Sequence, residues 1–315
     1  MPPFSRSSGT IDPPGSPSPR PHPDRAVDKY VGPKSDPNIS RKKNGVRYSV
    51  LETVQKRLRR PSPLGFPQKS DFVDRYHGLQ AFKDSPRDES CVGSVGAKLV
   101  EAQFRLSGLN IGERDPEFLW RVAKQRDGLA DDRRTSLYEA LTVAADYGIP
   151  PFKEPGAREI ATAKALSGED VDQTFVDKTL IPLLLSAASA RIKSVVSLGA
   201  DFGDWKTYIL ERGPLAVQLN VDPENFRQPS NEDSPKGDLP WVKMRTHLSI
   251  EQLDSHAIVV LDYVVPEKGP PYFVFLNSFG TGWGADGFAK ISEEDAQVFF
   301  VRAFGVELIN PQRPV

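Results

Sequence analysis

The segment from Ser255 to Phe288 reads SHAIVVLDYVVPEKGPPYFVFLNSFGTGWGADGF. One apolar run begins directly after His256, and a second, YFVFL, ends directly before Asn277. Residues 268–271, KGPP, have the composition of a turn between them. The pattern predicts a β-hairpin that places His256 beside Asn277, whose amide oxygen can then accept a hydrogen bond from the imidazole.

Cys91 is the single cysteine of the 315 residues and precedes an apolar pattern of helical period, which predicts a helix over about 91–106. A helix N-terminus favours a thiolate, and an imidazole can move the proton that a thiol nucleophile must lose. A lone cysteine is more often a buried apolar residue, and a lone histidine at a strand end is more often structural. The hypothesis that Cys91 is a nucleophile therefore depends on the combination and order of Cys91, His256 and Asn277, and no single one of these residues would support it.

The fold class predicted from these patterns is α+β. Helices are expected at about 116–126 and 135–147, the second capped by Thr135 or Ser136 and stopped by Gly148. The predicted strands are 191–198, 215–221, 257–265, 272–276 and 287–291. A helical half, about 66–190, thus precedes a strand-rich half, about 191–315, and the run LIPLLL at 180–185 is expected in the core.

Residues 1–45 are rich in Pro, Ser and basic residues, a composition that predicts a disordered tail. Residues 46–65 predict a short amphipathic basic segment or a linker, and 66–315 the folded domain. Residues 1–60 hold thirteen Lys and Arg against five Asp and Glu. Such an arm can contact nucleic acid or a membrane, although most basic arms are simply solvated.

Composition excludes several classes of protein. One cysteine excludes an intramolecular disulfide, which favours a reducing compartment. The N-terminus lacks a secretory signal, so a cytoplasmic location is expected, with secretion through the unusual N-terminal tail as the alternative. The four histidines and one cysteine lack zinc-ligand spacing, and no phosphate-binding glycine loop is found, so neither a metal nor a cofactor is expected.

Ser255-His256-Ala257, the aromatic strand, and the run NSFGTGWGADGF from Asn277 resemble the papain-like cysteine peptidase family. Gly213-Pro214 with its following strand resembles the family strand that precedes the catalytic histidine. Residues 135–141, TSLYEAL, with 147–150, YGIP, are similar to the disulfide-poor bacterial branch. The resemblance covers about residues 70–305.

This resemblance implies a papain-like fold, with the active-site cleft between a helical lobe and an antiparallel, β-barrel-like lobe. Cys91 would be the nucleophile, His256 the general acid and base, Asn277 the residue that orients the imidazole, and Trp283 the shield of the His–Asn hydrogen bond. The implied function is a thiol hydrolase that cleaves protein or peptide substrates through an acyl-enzyme intermediate.

The chain departs from the family pattern at some positions. Ser85 stands where the family has its oxyanion-hole glutamine, leaving the backbone N–H of Cys91 as the other donor. Arg134 stands where the bacterial branch has glycine, and Arg134 and Ser255 are candidates for lining the substrate cleft. Loops near 126–136, 199–210 and 222–255 would select the substrate. A catalytically weak binding module, or an acyl transferase or deamidase on the same fold, stay open as alternatives.

Overall fold

The computed structural model describes residues 70–82, 91–127, 135–152, 157–166, 168–169, 171–224, 226, 229, 238–244 and 252–309. The predicted tail, the basic segment, Ser85 and Arg134 lie outside these residues.

Helices dominate the described chain up to Ala190. They are α1 Phe72–Arg75, α2 Cys91–Leu106, α3 Pro116–Arg126, α4 Leu137–Asp146, α5 Ala157–Leu166, α6 Gln173–Phe175, a π-helical turn Val176–Leu180, α7 Ile181–Ala187 and a 3₁₀ turn Ala188–Ala190. None of the helices in the described ranges is long and apolar enough to cross a lipid bilayer.

Capping residues fix where α3 and α4 begin. The Asp115 carboxylate accepts hydrogen bonds from the backbone N–H groups of Glu117 and Phe118, at 2.9 and 3.1 Å. The Ser136 hydroxyl accepts from Glu139 N–H at 3.4 Å, in agreement with the predicted cap. Gly148 follows α4 with a φ of +82°, a backbone conformation in which glycine ends a helix without a steric cost.

The second half forms one seven-stranded sheet in the order β1-β7-β2-β4-β5-β6-β3. Its strands are β1 Ile192–Leu198, β2 Leu215–Val221, β3 Trp241–Val242, β4 Asp254–Val264, β5 Tyr272–Leu276, β6 Phe288–Ser292 and β7 Phe300–Leu308. Two helices interrupt them, α8 Phe202–Glu211 and α9 Glu293–Phe299. All pairings are antiparallel except that of β3 with β6.

The α+β class is confirmed, but the sheet is open rather than barrel-like. Its outermost strands are β1 at one edge and β3 at the other, and the two do not pair within the described residues. The short β3 meets only β6, through Trp241 and Val242.

Each face of the sheet has its own core. The helical lobe packs on one face, where Ala257, Val259 and Leu261 of β4 join the buried side chains of α2. On the other face, Ile258 and Val260 join an aromatic cluster with α8 and α9. Between Ala257 and Leu261 the alternation places odd-numbered residues of β4 toward the helical lobe and even-numbered ones toward the aromatic cluster. A register shift between Val260 and Asp262 interrupts this alternation, and Tyr263 joins the aromatic cluster.

Two expectations, one for the strand-rich half and one for the helical half, are wrong. Residues 202–211 form helix α8 rather than part of a loop, because Asp201 caps it at 2.7 Å from Gly203 N and Trp205 is buried in the core. The apolar run at 180–185 is only half buried. Leu183 is 8% exposed, whereas Leu185, on the outer side of α7, is 72% exposed.

Candidate active site

Cys91 is the first residue of α2, as the sequence predicts. Buried Val92, Val95 and Leu99 fix this helix against the sheet. The Cys91 residue as a whole is partly exposed, but its sulfur is desolvated and accepts hydrogen bonds from the backbone N–H groups of Ala257, Val92 and Cys91 itself. Because Ala257 directly follows His256 on β4, this contact places the sulfur beside β4, one residue from His256 along the strand.

Burial raises the pKa of the Cys91 thiol to about 11, against the lowering effect of those three backbone N–H groups. The position of Cys91 at a helix N-terminus predicts a favoured thiolate. It does act in that direction, but desolvation is the larger effect. The thiol of the free chain is therefore protonated at neutral pH.

His256 and Asn277 are joined by a hydrogen bond of 2.8 Å between Nε2 and Oδ1. The last β4–β5 pair before Asn277 is Val259 with Leu276, so the two residues are close neighbours at the end of the hairpin. Asn277 N–H in turn donates to the Gly287 carbonyl at 2.9 Å, which holds the Asn277 backbone at that end.

The partners of Asn277 determine the imidazole tautomer. The Ser278 backbone N–H donates to Asn277 Oδ1 at 2.8 Å, so this atom is an acceptor. His256 Nε2 must then carry the hydrogen of the His–Asn bond, and Nδ1 of the neutral ring has the lone pair. His256 is thus held as a base at Nδ1.

Burial lowers the pKa of His256 to about 4, although the Asn277 hydrogen bond and the Asp254 charge oppose that shift. Two aromatic rings contact the imidazole, with centroid distances of 5.2 Å for Phe226 and 4.8 Å for Phe279. The imidazole is consequently neutral above about pH 4, because its burial, to which the two aromatic rings contribute, disfavours the charged form.

Trp283 lies behind these two rings. Its Nε1–H donates to the Phe226 carbonyl at 2.9 Å, and its ring centroid is 5.7 Å from that of Phe226 and 6.3 Å from that of Phe279. The described ring contacts of His256 itself come from Phe226 and Phe279. Trp283 therefore supports the rings that cover the imidazole, and its role as a shield of the His–Asn bond stays a prediction.

Replacing Phe279 with alanine should raise the pKa of His256 from about 4 toward its ordinary value of 6.5, because water then reaches the ring. Between pH 4 and 6.5 the variant would bind more protons at His256 than the parent protein does. An NMR titration of the imidazole protons measures this directly. Val265→Ala, beyond the far end of β4, is the matched control and should leave the titration unchanged; an equal shift in both would contradict the explanation.

The remaining predicted site residues have different outcomes. Ser255 is exposed on β4 and its hydroxyl accepts from Gln218 Nε2 at 3.3 Å. Ser85 and Arg134 are outside the described residues, so their roles stay predictions. Within the described ranges, no group of three or more His, Cys, Asp or Glu side chains could hold a metal ion.

Sequence reasoning missed Phe226. It lies in the polar, proline-rich stretch 222–255, where it was not recognised as a site residue. Its 1% exposure and its contacts with His256 and Trp283 show that this stretch contributes an aromatic side chain to the site. The available signal is an aromatic residue with polar neighbours, Asn225 and Arg227, on both sides.

Comparison with known proteins gives consistent results. Residues 186–303 match the model of the papain family cysteine protease, a range that includes His256 and Asn277 but not Cys91. A cysteine proteinase of Trypanosoma brucei brucei is 30% identical over 121 residues, which is 38% of this chain. The chain spans only 24% of the length of that relative.

Two solved structures share the fold. Xylellain, a cysteine protease from Xylella fastidiosa, has a TM-score of 0.58 at 16% identity, covering 78% of this chain and 88% of its own. The bromelain protease from Ananas comosus, solved with the E64 inhibitor, has a TM-score of 0.52 at 14% identity. The match covers 77% of this chain and 99% of the bromelain chain. The fold likeness, at 78% of this chain, covers more of it than the family model, which matches residues 186–303. Together, these matches show that the chain resembles the papain family of cysteine proteases over residues 186–303 and shares the papain-like fold.

Proposed function

We propose that this protein is a thiol hydrolase that cleaves peptide bonds, with Cys91 as nucleophile, His256 as general acid and base, and Asn277 as the residue that orients the imidazole. One observation carries the proposal. The 2.8 Å bond from His256 to Asn277 leaves Nδ1 as the basic nitrogen, while the sulfur of Cys91 contacts the backbone of Ala257, the next residue.

With the pKa of the thiol raised and that of the imidazole lowered, the proposed reaction starts from a neutral pair. The Cys91 sulfur attacks the substrate carbonyl carbon as His256 Nδ1 takes the thiol proton. The imidazolium, stabilised by Asn277 and by the Asp254 charge, then protonates the leaving amine. A thioester of Cys91 remains, and water attacks it with His256 as base, which releases the carboxylic acid and restores the thiol.

The second candidate is a catalytically weak binding module on the same fold. One observation favours it: burial keeps both groups neutral, with a pKa of about 11 for the thiol and about 4 for the imidazole. A site of this kind could hold a peptide without forming the thioester. Turnover of a peptide substrate separates the two candidates.

The test is to profile a peptide library with the wild-type protein beside Cys91→Ala, using mass spectrometry of the products. We expect paired fragments whose masses add up to the peptide plus one water, from the wild-type protein alone. Fragments in both samples, or none in either, would contradict the proposal. Conversion of a glutamine to glutamate, in which water is taken up and ammonia released, without chain cleavage and only with the wild-type protein, would support the deamidase alternative.

The pKa of Cys91 predicts how alkylation should depend on pH. Because only the thiolate reacts, we expect the iodoacetamide rate of the free protein to rise about tenfold per pH unit from pH 7 toward the pKa of about 11. At pH 7 the rate should be below that of free cysteine, whose pKa is about 8.5. Mass spectrometry of the Cys91 adduct measures it. A fast rate that is constant from pH 5 to 8 would instead indicate a preformed thiolate–imidazolium pair.

A further inference from the structure

The sheet face beside the Cys91 sulfur changes from apolar to polar between two neighbouring rows of residues. In the inner row, Val259, Ala216 and Phe304 are register partners across β4, β2 and β7, with exposures of 1%, 0% and 6%. This row packs against the helical lobe. The inner row is therefore closed core and offers no room to a ligand.

The next row, two residues along each strand on the same face, consists of Ala257, Gln218 and Arg302. Ala257 is the residue whose backbone contacts the Cys91 sulfur. Gln218 is half-buried and bonds to Ser255, and Arg302 is exposed. Ser255 lies two residues before Ala257 on β4 and therefore on the same face of the sheet. We call the three polar side chains of this face, Gln218, Ser255 and Arg302, the polar row.

Arg302 is available to bind a negative charge. It makes no ion pair with any described residue. By strand alternation, the nearby Asp254 of β4 belongs to the opposite face, with His256. The half-exposed ring of Tyr138, at 5.9 Å from Phe304, adds an apolar surface from the helical lobe.

Strand spacing brings Arg302 within reach of a substrate. Neighbouring strands are about 4.8 Å apart, so Arg302 lies about 10 Å from Ala257 along the row. An extended peptide advances about 3.3 Å per residue. A residue close to the bond that Cys91 attacks can therefore place its side chain over the polar row, where the long arginine side chain can meet it.

We infer that the polar row binds an acidic side chain of the substrate, with the Arg302 guanidinium pairing with a Glu or Asp carboxylate and Gln218 bordering the same surface. A guanidinium fits a carboxylate through two parallel hydrogen bonds, whereas it repels a lysine or arginine. This inference rests on the proposed function and names its substrate class: peptides with an acidic residue near the scissile bond.

The experiment compares peptides that carry Glu, Gln or Lys at each position around the cleaved bond. For the wild-type protein we expect kcat/KM to favour Glu over Lys by about tenfold or more at one position. Arg302→Glu should remove or reverse that preference. The matched control is Lys268→Glu, in the exposed turn between β4 and β5. This variant makes the same charge change and should keep the wild-type preference for Glu over Lys.

The outcomes separate this inference from the proposed function. Cleavage with no acidic preference, or with the same preference in Arg302→Glu, overturns the inference and leaves the hydrolase intact. If no peptide is cleaved, the hydrolase proposal fails, and a measurement of peptide binding then tests whether the polar row recognises an acidic side chain. Fluorescence anisotropy with fluorescein-labelled alanine hexapeptides containing one Glu or one Lys should then show Glu-dependent binding, weakened about tenfold in Arg302→Glu. Equal binding of both peptides, or none, would overturn it.

Discussion

Replacing His256 with alanine should lower kcat/KM for peptide hydrolysis by about 10⁴-fold, because the thiol then loses the base that takes its proton. The loss should be large in this protein in particular. With a thiol pKa of about 11, almost no thiolate exists at pH 7 without help from the imidazole. Steady-state kinetics on a fluorogenic peptide measure the effect.

The double variant Cys91→Ala/His256→Ala should be no less active than Cys91→Ala alone, because residues that act as one unit do not contribute additively. The exposed His77 provides the control, and His77→Ala should retain wild-type kinetics. If His256→Ala kept most of its activity, the proton transfer assigned to His256 would be wrong.

Gly148→Ala should destabilise the fold by about 3 kcal/mol or more, for two reasons that add together. The residue has a φ of +82°, which costs a non-glycine residue about 1–2 kcal/mol. A Cβ there would also lie 2.0 Å from the Ala187 carbonyl oxygen and 2.7 Å from its carbon, so α4 and α7 would have to separate. Urea unfolding followed by circular dichroism gives the change in the free energy of unfolding.

Gly112→Ala isolates the first of these costs. Gly112 has a φ of +71°, but a Cβ built on it meets nothing within 4 Å. Its substitution should cost about 1–2 kcal/mol, from backbone strain alone. Equal losses in both variants would show that close packing of Gly148 against Ala187 does not contribute.

The sequence predicted the elements whose periodicity is strong. Helix α2 begins at Cys91 and ends at Leu106, and β2 and β5 have the predicted bounds. The hairpin hypothesis depended on two apolar runs and a turn, and the structure has β4 and β5 paired with His256 hydrogen-bonded to Asn277. These features are local, because strands joined by a short turn lie next to each other.

Features that depend on contacts between distant parts of the chain were not predicted. Strand β7 lies between β1 and β2, although it begins 102 residues after the end of β1 (300 − 198) and 79 residues after the end of β2 (300 − 221), and no local pattern indicates this order. Helix α8 did have a local signal, with Asp201 before Phe202, Trp205 and Ile209 at helical spacing. The same segment contains Gly199 and Gly203, residues that favour a loop, so the local signals conflict.

The electrostatics of the site also required three-dimensional information. A cysteine at a helix N-terminus and a histidine beside an asparagine suggest a reactive pair. Only the burial of Cys91, and the enclosure of His256 by Phe226 and Phe279, show that both are neutral in the free chain. Desolvation depends on every neighbouring atom, so residue type and spacing cannot predict it.

The most direct test of the account is to trap the acyl-enzyme. The protein is mixed with a p-nitrophenyl ester of a short acylated peptide, quenched with acid within milliseconds to seconds, digested and mapped by mass spectrometry. We expect the mass of the acyl group on the peptide that contains Cys91, rising and then falling as hydrolysis proceeds, and no such adduct in Cys91→Ala. Turnover of the ester with the acyl group on another residue, or with none at any time, would contradict the central role of Cys91.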